Sequence, residues 1–271
     1  MDRKRIISVF STALMLALCV LTVLLEMLDL NYSRNVIHNR LLKSSIPLVP
    51  GVVAVWILVK KLGFRLFGKA ENLLYLLPCL CVAINNFQFC SFFAGNMRLQ
   101  EGVDAFAWIL FAGNCLLTGF FEELIFRGIV FPLVLERVSN NKKGLFLAVL
   151  LSSAIFGLSH LLNIVMGAGV GATILQVGYS TLTGGMFAFA FIKTKNVIFC
   201  VLLHAVYNFG GLLFTPLQGL GTGVLFDVGT TVMMAVVAIA VGAFVVYKIY
   251  KYSDEERIAL YQRLGVKPKN D

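Results

Sequence analysis

Two glutamates and an arginine stand inside one of the most apolar stretches of the chain, in the segment Gly-Phe-Phe-Glu-Glu-Leu-Ile-Phe-Arg-Gly that begins at Gly119. In a helix, Glu123 and Arg127 are four residues apart and can form an ion pair on one face. Such a pair is as compatible with a structural role as with chemistry, because pairing lowers the cost of buried charge. Adjacent helical residues diverge by about 100°, so Glu122 faces elsewhere. A carboxylate without a local partner in an apolar helix is suited to general base catalysis or to metal binding.

Two histidines on other segments extend this chemistry. His160 ends the segment Phe-Gly-Leu-Ser-His, and His204 begins the segment His-Ala-Val-Tyr-Asn, which ends at Asn208. Because His204 and Asn208 are four residues apart, they share a helix face. Either histidine alone would more often be a hydrogen-bonded core residue. Together with Glu122, they supply what a His₂Glu metal site or a water-activating hydrolase needs, although the zinc motif H-E-x-x-H is absent from the sequence.

The elements that position these groups must be apolar helices. Of the 271 residues, 59% are hydrophobic and only 14% are charged, and aromatic residues make up 12%. A soluble globular domain carries roughly 25% charged residues, so the composition excludes one. At about 20 residues per crossing, the apolar residues suffice for about eight spans. We therefore predict an all-α polytopic membrane protein, with about eight transmembrane helices around an intramembrane catalytic cavity.

Eight apolar stretches are the predicted spans: residues 6–27, 46–59, 73–95, 105–135, 144–162, 168–192, 197–214 and 225–247. The second is short and contains two prolines, which predicts a tilted or re-entrant segment, and the fourth is long enough to bend or to overrun the bilayer. Counting about 1.5 Å per residue puts His160 nearer the outer face than Glu122 or His204. The three residues of a single site must lie at a similar depth. At least one predicted boundary, in the fourth span or at the end of the fifth, is therefore misplaced.

The net charge of +9 is explained by topology. With the N-terminus in the cytoplasm, 18 of the 23 lysines and arginines fall in cytoplasmic segments and four in external loops, and Arg127 alone lies in a span. Basic residues favour the cytoplasmic side, so we predict a multi-pass protein with both termini in the cytoplasm and no nucleic-acid partner. The basic tail also contains Ser253-x-x-Glu256, which predicts a capped short helix that runs to Leu264.

Three motifs occur in a fixed order on separate apolar segments: Glu-Glu-x-x-x-Arg, then Phe-x-x-x-His, then His-x-x-x-Asn. This order resembles the CAAX protease and bacteriocin-processing family, which is related to the Ras-converting CAAX endopeptidase. The resemblance covers about residues 105–214 and implies an intramembrane endopeptidase, with those residues as its catalytic core. Residues 1–104 are then N-terminal helices without a motif, and residues 215–271 are a last helix and a basic tail. The active-site residues implied by the motifs are Glu122, Glu123, Arg127, His160, His204 and Asn208.

Two mechanisms fit this set of residues. In the first, Glu122, His160 and His204 hold a zinc ion that carries the attacking water, and Glu123 or another group handles protons, as in a metalloprotease. In the second, Glu122 is a general base assisted by His160, no metal is needed, and His204 and Asn208 stabilise the oxyanion. The sequence leaves both open.

The expected partners are the lipid bilayer and a membrane-associated peptide substrate, of the CAAX type or of the bacteriocin or signal-peptide type. The compact chain favours a bacterial plasma membrane. Two other functions are compatible with the same residues. The first is a catalytically silent immunity or scaffold protein of the same fold, against which the intact motifs argue. The second is a proton-coupled transporter, against which the lack of paired halves in the sequence argues.

Overall fold

The computed structural model describes residues 17, 20–22, 24–25, 28, 30–215, 218–223 and 228–267. The predicted first span, residues 6–27, lies mostly outside these described residues. The described elements, in chain order, are α1 (Val36–Ser45), α2 (Leu48–Leu62), α3 (Leu76–Asn85), α4 (Phe89–Phe93), β1 (Arg98–Leu99), α5 (Ala105–Ile125), α6 (Phe131–Leu135), α7 (Lys142–Ser159), α8 (Leu162–Val165), α9 (Val170–Thr194), α10 (Val197–Leu212), β2 (Gly221–Thr222), α11 (Val228–Tyr250) and α12 (Asp254–Leu264).

Five helical stretches of the described chain are long and apolar enough to cross a membrane: Val36–Leu62, Ala105–Leu135, Lys142–Val165, Val170–Thr194 and Val228–Tyr250. They are formed by α1 with α2, by α5 with α6, by α7 with α8, by α9 and by α11. The chain is thus a mostly helical, integral membrane protein. The fourth predicted span agrees in both boundaries with the observed stretch. Eight spans stay a prediction.

Two predicted spans are shorter in the structure than the sequence indicated. The third, residues 73–95, is broken: a 3₁₀ turn (Leu73–Tyr75) leads into α3, α3 ends at Asn85, and α4 starts anew at Phe89. The seventh, residues 197–214, is the 16-residue helix α10. An α-helix rises about 1.5 Å per residue, so α10 covers less than the hydrocarbon thickness. By contrast, the predicted second span, residues 46–59, is longer in the structure. Helix α1 extends it on the N-terminal side of Pro47.

Helix α9 is the centre of the bundle. Every residue from Met186 to Thr194 is buried, whereas Val170, Ile174 and Leu175 in its first turns are exposed. A helix that is apolar on all sides is stable only where other helices surround it. Helix α9 packs along α7 and also contacts α10 and α11, while α10 packs along α5. This arrangement brings α5, α7, α9 and α10 side by side.

Glycines permit close contacts between these helices. A Cβ atom added at Gly119 of α5 would lie 2.9 Å from the carbonyl oxygen of Val201 in α10. A Cβ atom added at Gly184 of α9 would lie 3.2 Å from the Cα atom of Ser153 in α7. Small residues allow helices to approach closely in membranes. The first contact brings α5 close to α10, and the second brings α9 close to α7.

The capping box predicted at the start of the tail helix is confirmed. Ser253 Oγ accepts a hydrogen bond from the backbone N–H of Glu256 at 3.1 Å, and Glu256 Oε2 accepts one from the backbone N–H of Ser253 at 2.9 Å. These two contacts satisfy donors that the first turn of α12 would otherwise leave without a partner. The helix ends at Gly265, whose φ of 71° is in the left-handed region that glycine adopts without strain.

Replacing Ser253 by alanine is expected to lower the free energy of unfolding by about 1 kcal/mol, because it removes one half of the capping box. The measurement is the thermal unfolding midpoint of the full chain in detergent. Ser253→Thr keeps a capping hydroxyl and serves as the control. An alanine variant as stable as the threonine variant would show that α12 does not depend on this cap.

Candidate active site

The first sequence motif forms a buried ion pair. Glu123 is fully buried and Arg127 is 2% exposed, and Arg127 Nη1 donates to Glu123 Oε1 at 3.0 Å. Both residues lie on one face of the same helical stretch, as their spacing predicted. The arginine thus neutralises this carboxylate within its own helix.

His204 connects this pair to the neighbouring helix. Its Nδ1 atom is 2.7 Å from Glu123 Oε1, and its Nε2 atom is 3.7 Å from Glu122 Oε2. An ionised carboxylate can only accept a hydrogen bond, so Nδ1 of His204 carries the proton and donates it to Glu123. The ring is thereby oriented with Nε2 toward Glu122. The two adjacent glutamates thus lie at opposite edges of one imidazole, and Glu123 is the one that bonds to it.

Arg127 has further contacts that make its burial tolerable. Its Nη2 atom donates to the backbone carbonyl of Gly184 in α9 at 2.8 Å. The guanidinium carbon lies 4.8 Å from the ring centroid of Phe156 and 5.3 Å from that of Phe187. A cation over an aromatic face is stabilised by the ring quadrupole. The arginine therefore joins three helices, α5 through its own stretch, α7 through Phe156 and α9 through Gly184 and Phe187.

Glu122 differs from Glu123, which is fully buried and whose Oε1 atom is bound by Arg127 and His204. Its side chain is 25% exposed. Its Oε2 atom is buried and has no hydrogen-bond partner among the described residues. A buried carboxylate oxygen without a donor is costly and tends to be found where a ligand or a water molecule binds. Of the two glutamates, Glu122 is the one free to act on a reactant.

His160 lies at the edge of this cluster. It directly follows Ser159, the last residue of α7, and is half-buried. Helix α7 ends three residues before the end of the predicted fifth span. Its Nδ1 atom is 3.0 Å from the carbonyl oxygen of Phe156. A carbonyl only accepts, so Nδ1 carries the proton and the neutral ring keeps its lone pair on Nε2. In the described part of the chain, no hydrogen bond or ion pair joins His160 to Glu122 or His204; the link between the histidines is the ring of Phe156.

The ring of Phe156 meets both histidines edge to face. Its centroid is 5.1 Å from that of His160 and 6.0 Å from that of His204. Asn208 lies one helical turn beyond His204 on the same face of α10 and is half-buried. Its side-chain amide makes no hydrogen bond with any described residue. Its donors are therefore free for a bound molecule.

The helices that carry all six candidate residues match a known family. A family model described as type II CAAX prenyl endopeptidase Rce1-like matches residues 104–210. We refer to this segment, which is similar to that family, as the Rce1-like segment. It runs from the N-cap of α5 to the last turns of α10 and confirms the resemblance drawn from the three motifs. No curated protein and no solved structure matches the chain.

The Rce1-like segment contains a break in helical geometry directly after its glutamates. Residues Phe126–Val130 form a π-helical turn between α5 and α6. Single π turns inside α-helices occur often at functional sites. Gly128 in this turn faces α2 and the loop behind it, and an added Cβ atom there would lie 2.8 Å from Leu66 Cδ1. The turn thus interrupts the α-helical geometry of the long fourth span.

The predicted zinc ion would be held by residues of the Rce1-like segment. In both histidines Nδ1 is held by a hydrogen bond and Nε2 is left for a ligand, which is typical of metal-binding imidazoles. Within the described residues, however, no three His, Cys, Asp or Glu side chains stand close enough together to hold a metal ion. The structure therefore does not assemble Glu122, His160 and His204 into a ligand set, and zinc stays a prediction.

Sequence reasoning missed two residues of the Rce1-like segment that support the site. Phe187 of α9 stacks on the ring of His204, with centroids 5.1 Å apart and planes inclined by 20°. Gly119 of α5 permits the close approach of α10 that brings His204 to the glutamates. Gly119 begins the segment that contains the first motif, and this position in the sequence could have indicated its role. Phe187 is one of 23 phenylalanines, and nothing in its spacing distinguishes it.

Proposed function

We propose that the chain is an intramembrane endopeptidase that hydrolyses a peptide bond in a membrane-associated peptide. The observation that carries this proposal is the imidazole of His204, held by Glu123 and directed at the unpartnered carboxylate oxygen of Glu122. This cluster lies among apolar helices, in the Rce1-like segment. A carboxylate and an oriented imidazole are the groups that activate water for attack on a carbonyl carbon.

Glu122 is the proposed general base. Its carboxylate takes a proton from a water molecule as the water oxygen attacks the carbonyl carbon of the scissile bond. The 25% exposed side chain lets water reach it, and Oε2 has no hydrogen bond to a described residue that would have to break first. The same proton then passes to the leaving amine nitrogen when the carbon–nitrogen bond breaks. No step of this mechanism requires a group that the chain does not contain.

His204 and Asn208 are the proposed oxyanion donors. When His204 carries protons on both ring nitrogens, Nδ1 donates to Glu123 and Nε2 is free to donate to the oxygen that gains negative charge. The amide of Asn208, one turn further along α10, is placed to donate beside it. Donors aimed at a developing charge in a poorly solvated site are worth more than in water. The ring stacked on His204, that of Phe187, helps to fix this orientation.

His160 is the proposed assistant to Glu122. It brings its Nε2 atom next to the Phe156 ring, which also contacts His204. There it can accept a hydrogen bond from the attacking water or from the substrate.

The substrate class that the family description favours is a CAAX-type peptide, whose lipid-modified end keeps it at the membrane. Processing of bacteriocins or signal peptides is the wider prediction from the motifs. The test uses the purified full chain in phospholipid vesicles with a fluorogenic farnesylated CAAX peptide and, beside it, the same peptide without the lipid. We expect cleavage of the lipidated peptide. Failure to cleave either peptide while the chain is folded would contradict the proposal.

Metal removal separates the two mechanisms. Under the metal-free mechanism, we expect cleavage by the purified chain to persist after dialysis against a zinc chelator, and metal analysis to find well below one zinc ion per chain. Loss of cleavage on chelation, with recovery on adding zinc but not magnesium, would instead show that zinc is required. Dialysis without a chelator is the control for loss of activity during handling.

A further inference from the structure

A second group of charged residues lies apart from the candidate active site. It lines a cavity of about 450 Å³ between the end of α9, the loop that precedes α3, and α12. Four of the lining side chains are basic and two are acidic: Lys69, Lys193, Lys195 and Arg263, with Glu71 and Glu256. None of these residues belongs to the three motifs of the candidate active site or to the proposed reaction, and Glu256 is also part of the capping box of α12.

The two acidic groups are already paired. Glu71 Oε2 is 2.5 Å from Lys195 Nζ, and Glu256 Oε1 is 3.0 Å from Lys193 Nζ. The hydrogen bond from Lys195 lowers the pKa of Glu71, as does the positive charge of the nearby Lys69 and Arg263. Neither Lys69 nor Arg263 forms an ion pair with any described carboxylate. The cavity therefore holds an excess of two positive charges.

Arg263 is the unusual member of this group. Its Nε, Nη1 and Nη2 atoms are all buried, and none has a hydrogen-bond partner among the described residues. The guanidinium carbon lies 5.0 Å from the ring centroid of Phe191, which is fully buried and fixes the position of the arginine. Burial lowers the pKa of Arg263 to about 10, so the group still carries its charge at neutral pH. Buried donors without acceptors are rare in folded proteins, and a bound ion is one way in which they are satisfied.

The cavity lies at the level of the bilayer surface. The candidate spans α9 and α11 end at Thr194 and Tyr250, and the cavity is lined by residues that follow directly, among them Lys195 and Tyr252. Lipid phosphate groups lie at this level. A guanidinium presents N–H groups in a planar fork that matches phosphate oxygens, and a lysine adds a point charge.

We propose that this cavity binds a phosphate group, with the guanidinium of Arg263 donating to its oxygens and Lys69 contributing charge at the rim. The headgroup of an anionic phospholipid and free inorganic phosphate share this chemistry, and the level of the cavity favours the lipid. A headgroup bound here would tie α12 to the membrane-spanning helices α9 and α11. The proposal does not depend on the peptidase activity.

The test compares the full chain with Arg263→Gln and with Lys143→Gln, which removes one exposed positive charge outside the cavity. In the first arm, inorganic phosphate is titrated at constant ionic strength and the thermal unfolding midpoint is followed. In the second arm, the chain is taken from vesicles of phosphatidylglycerol and phosphatidylcholine, and the retained phosphatidylglycerol is counted by native mass spectrometry.

We expect Arg263→Gln to weaken binding about tenfold or more in at least one arm, because hydrogen bonds to charged groups are lost. Lys143→Gln should match the unmodified chain.

The two arms distinguish the sources of the phosphate group. An effect confined to the first arm assigns free phosphate, and an effect in the second assigns the lipid headgroup. If Arg263→Gln fails to fold, Lys69→Gln replaces it, because Lys69 is exposed at the rim and its loss leaves the packing intact. Lys69→Gln should then weaken binding severalfold. Binding equal to that of the unmodified chain in both arms, for whichever variant folds, would overturn the proposal.

Discussion

Replacing Glu122 by glutamine is expected to lower the rate of peptide cleavage by about 10²- to 10⁴-fold, the usual contribution of a general base. The variant keeps the size of the side chain but cannot take a proton from water. Stability should change little, because Glu122 Oε2 has no hydrogen-bond partner among the described residues and its contact with His204 Nε2 is a distant 3.7 Å. The measurement is kcat/KM for the lipidated peptide, together with the thermal unfolding midpoint.

Glu101→Gln is the matched control for this experiment. Glu101 is an exposed glutamate in the turn that precedes α5, so the same chemical change there removes a charge without touching the site. Its cleavage rate should equal that of the unmodified chain. If Glu122→Gln retains more than a tenth of the unmodified rate, Glu122 is not the base.

The second large effect is expected at Glu123, and it is an effect on folding. Replacing Glu123 by glutamine removes the charge that balances the buried Arg127 and the carboxylate that accepts from His204 Nδ1. Breaking a buried ion pair from one side costs about 3–5 kcal/mol, since the remaining charge is left uncompensated in a poorly solvated site. We therefore expect a large fall in the thermal unfolding midpoint and little folded protein.

A double variant separates folding from function at this position. Combining Glu123→Gln with Arg127→Met removes both charges, and neutral replacements of a buried pair are often as stable as the pair itself. We expect the double variant to recover most of the stability but not the cleavage rate, because His204 still lacks the carboxylate that orients it. Full cleavage by the folded double variant would show that Glu123 is purely structural.

What the sequence predicted correctly is local along the chain. The Glu123–Arg127 pair and the capping box of Ser253 and Glu256 involve residues three or four positions apart, so helix geometry alone brings them together. The apolar runs likewise predicted the position of the long helices. The resemblance to the family depended on three such local motifs, and the match to residues 104–210 confirms it.

What the sequence could not predict is the axial register between helices. The contact of His204 with Glu123 depends on how far α10 slides along α5, which the close approach at Gly119 settles. Hydropathy measures only how apolar a segment is. It can therefore predict where a span begins and ends, but not the axial register of one helix against another. For the same reason the predicted depths of Glu122, His160 and His204 disagreed with one another.

The broken third span shows a different limit. Asn86 donates from Nδ2 to the carbonyl oxygen of Tyr207 in α10 at 2.7 Å, at the place where α3 ends. An averaged hydropathy profile passes over one polar residue in an apolar run. Its hydrogen-bond partner, Tyr207 of α10, is 121 positions away in the sequence, so no local pattern indicates the contact.

The ion pair within the α5 stretch has a consequence for biogenesis. Membrane helices enter the bilayer one after another during synthesis, and a lone arginine or carboxylate near the middle of one opposes its insertion by about 2.5–3.5 kcal/mol. Because Arg127 meets its counter-ion one turn away in the same helix, this segment can leave the translocation machinery with that pair already neutralised. His204 arrives much later in the growing chain and docks onto a carboxylate that was shielded from the start.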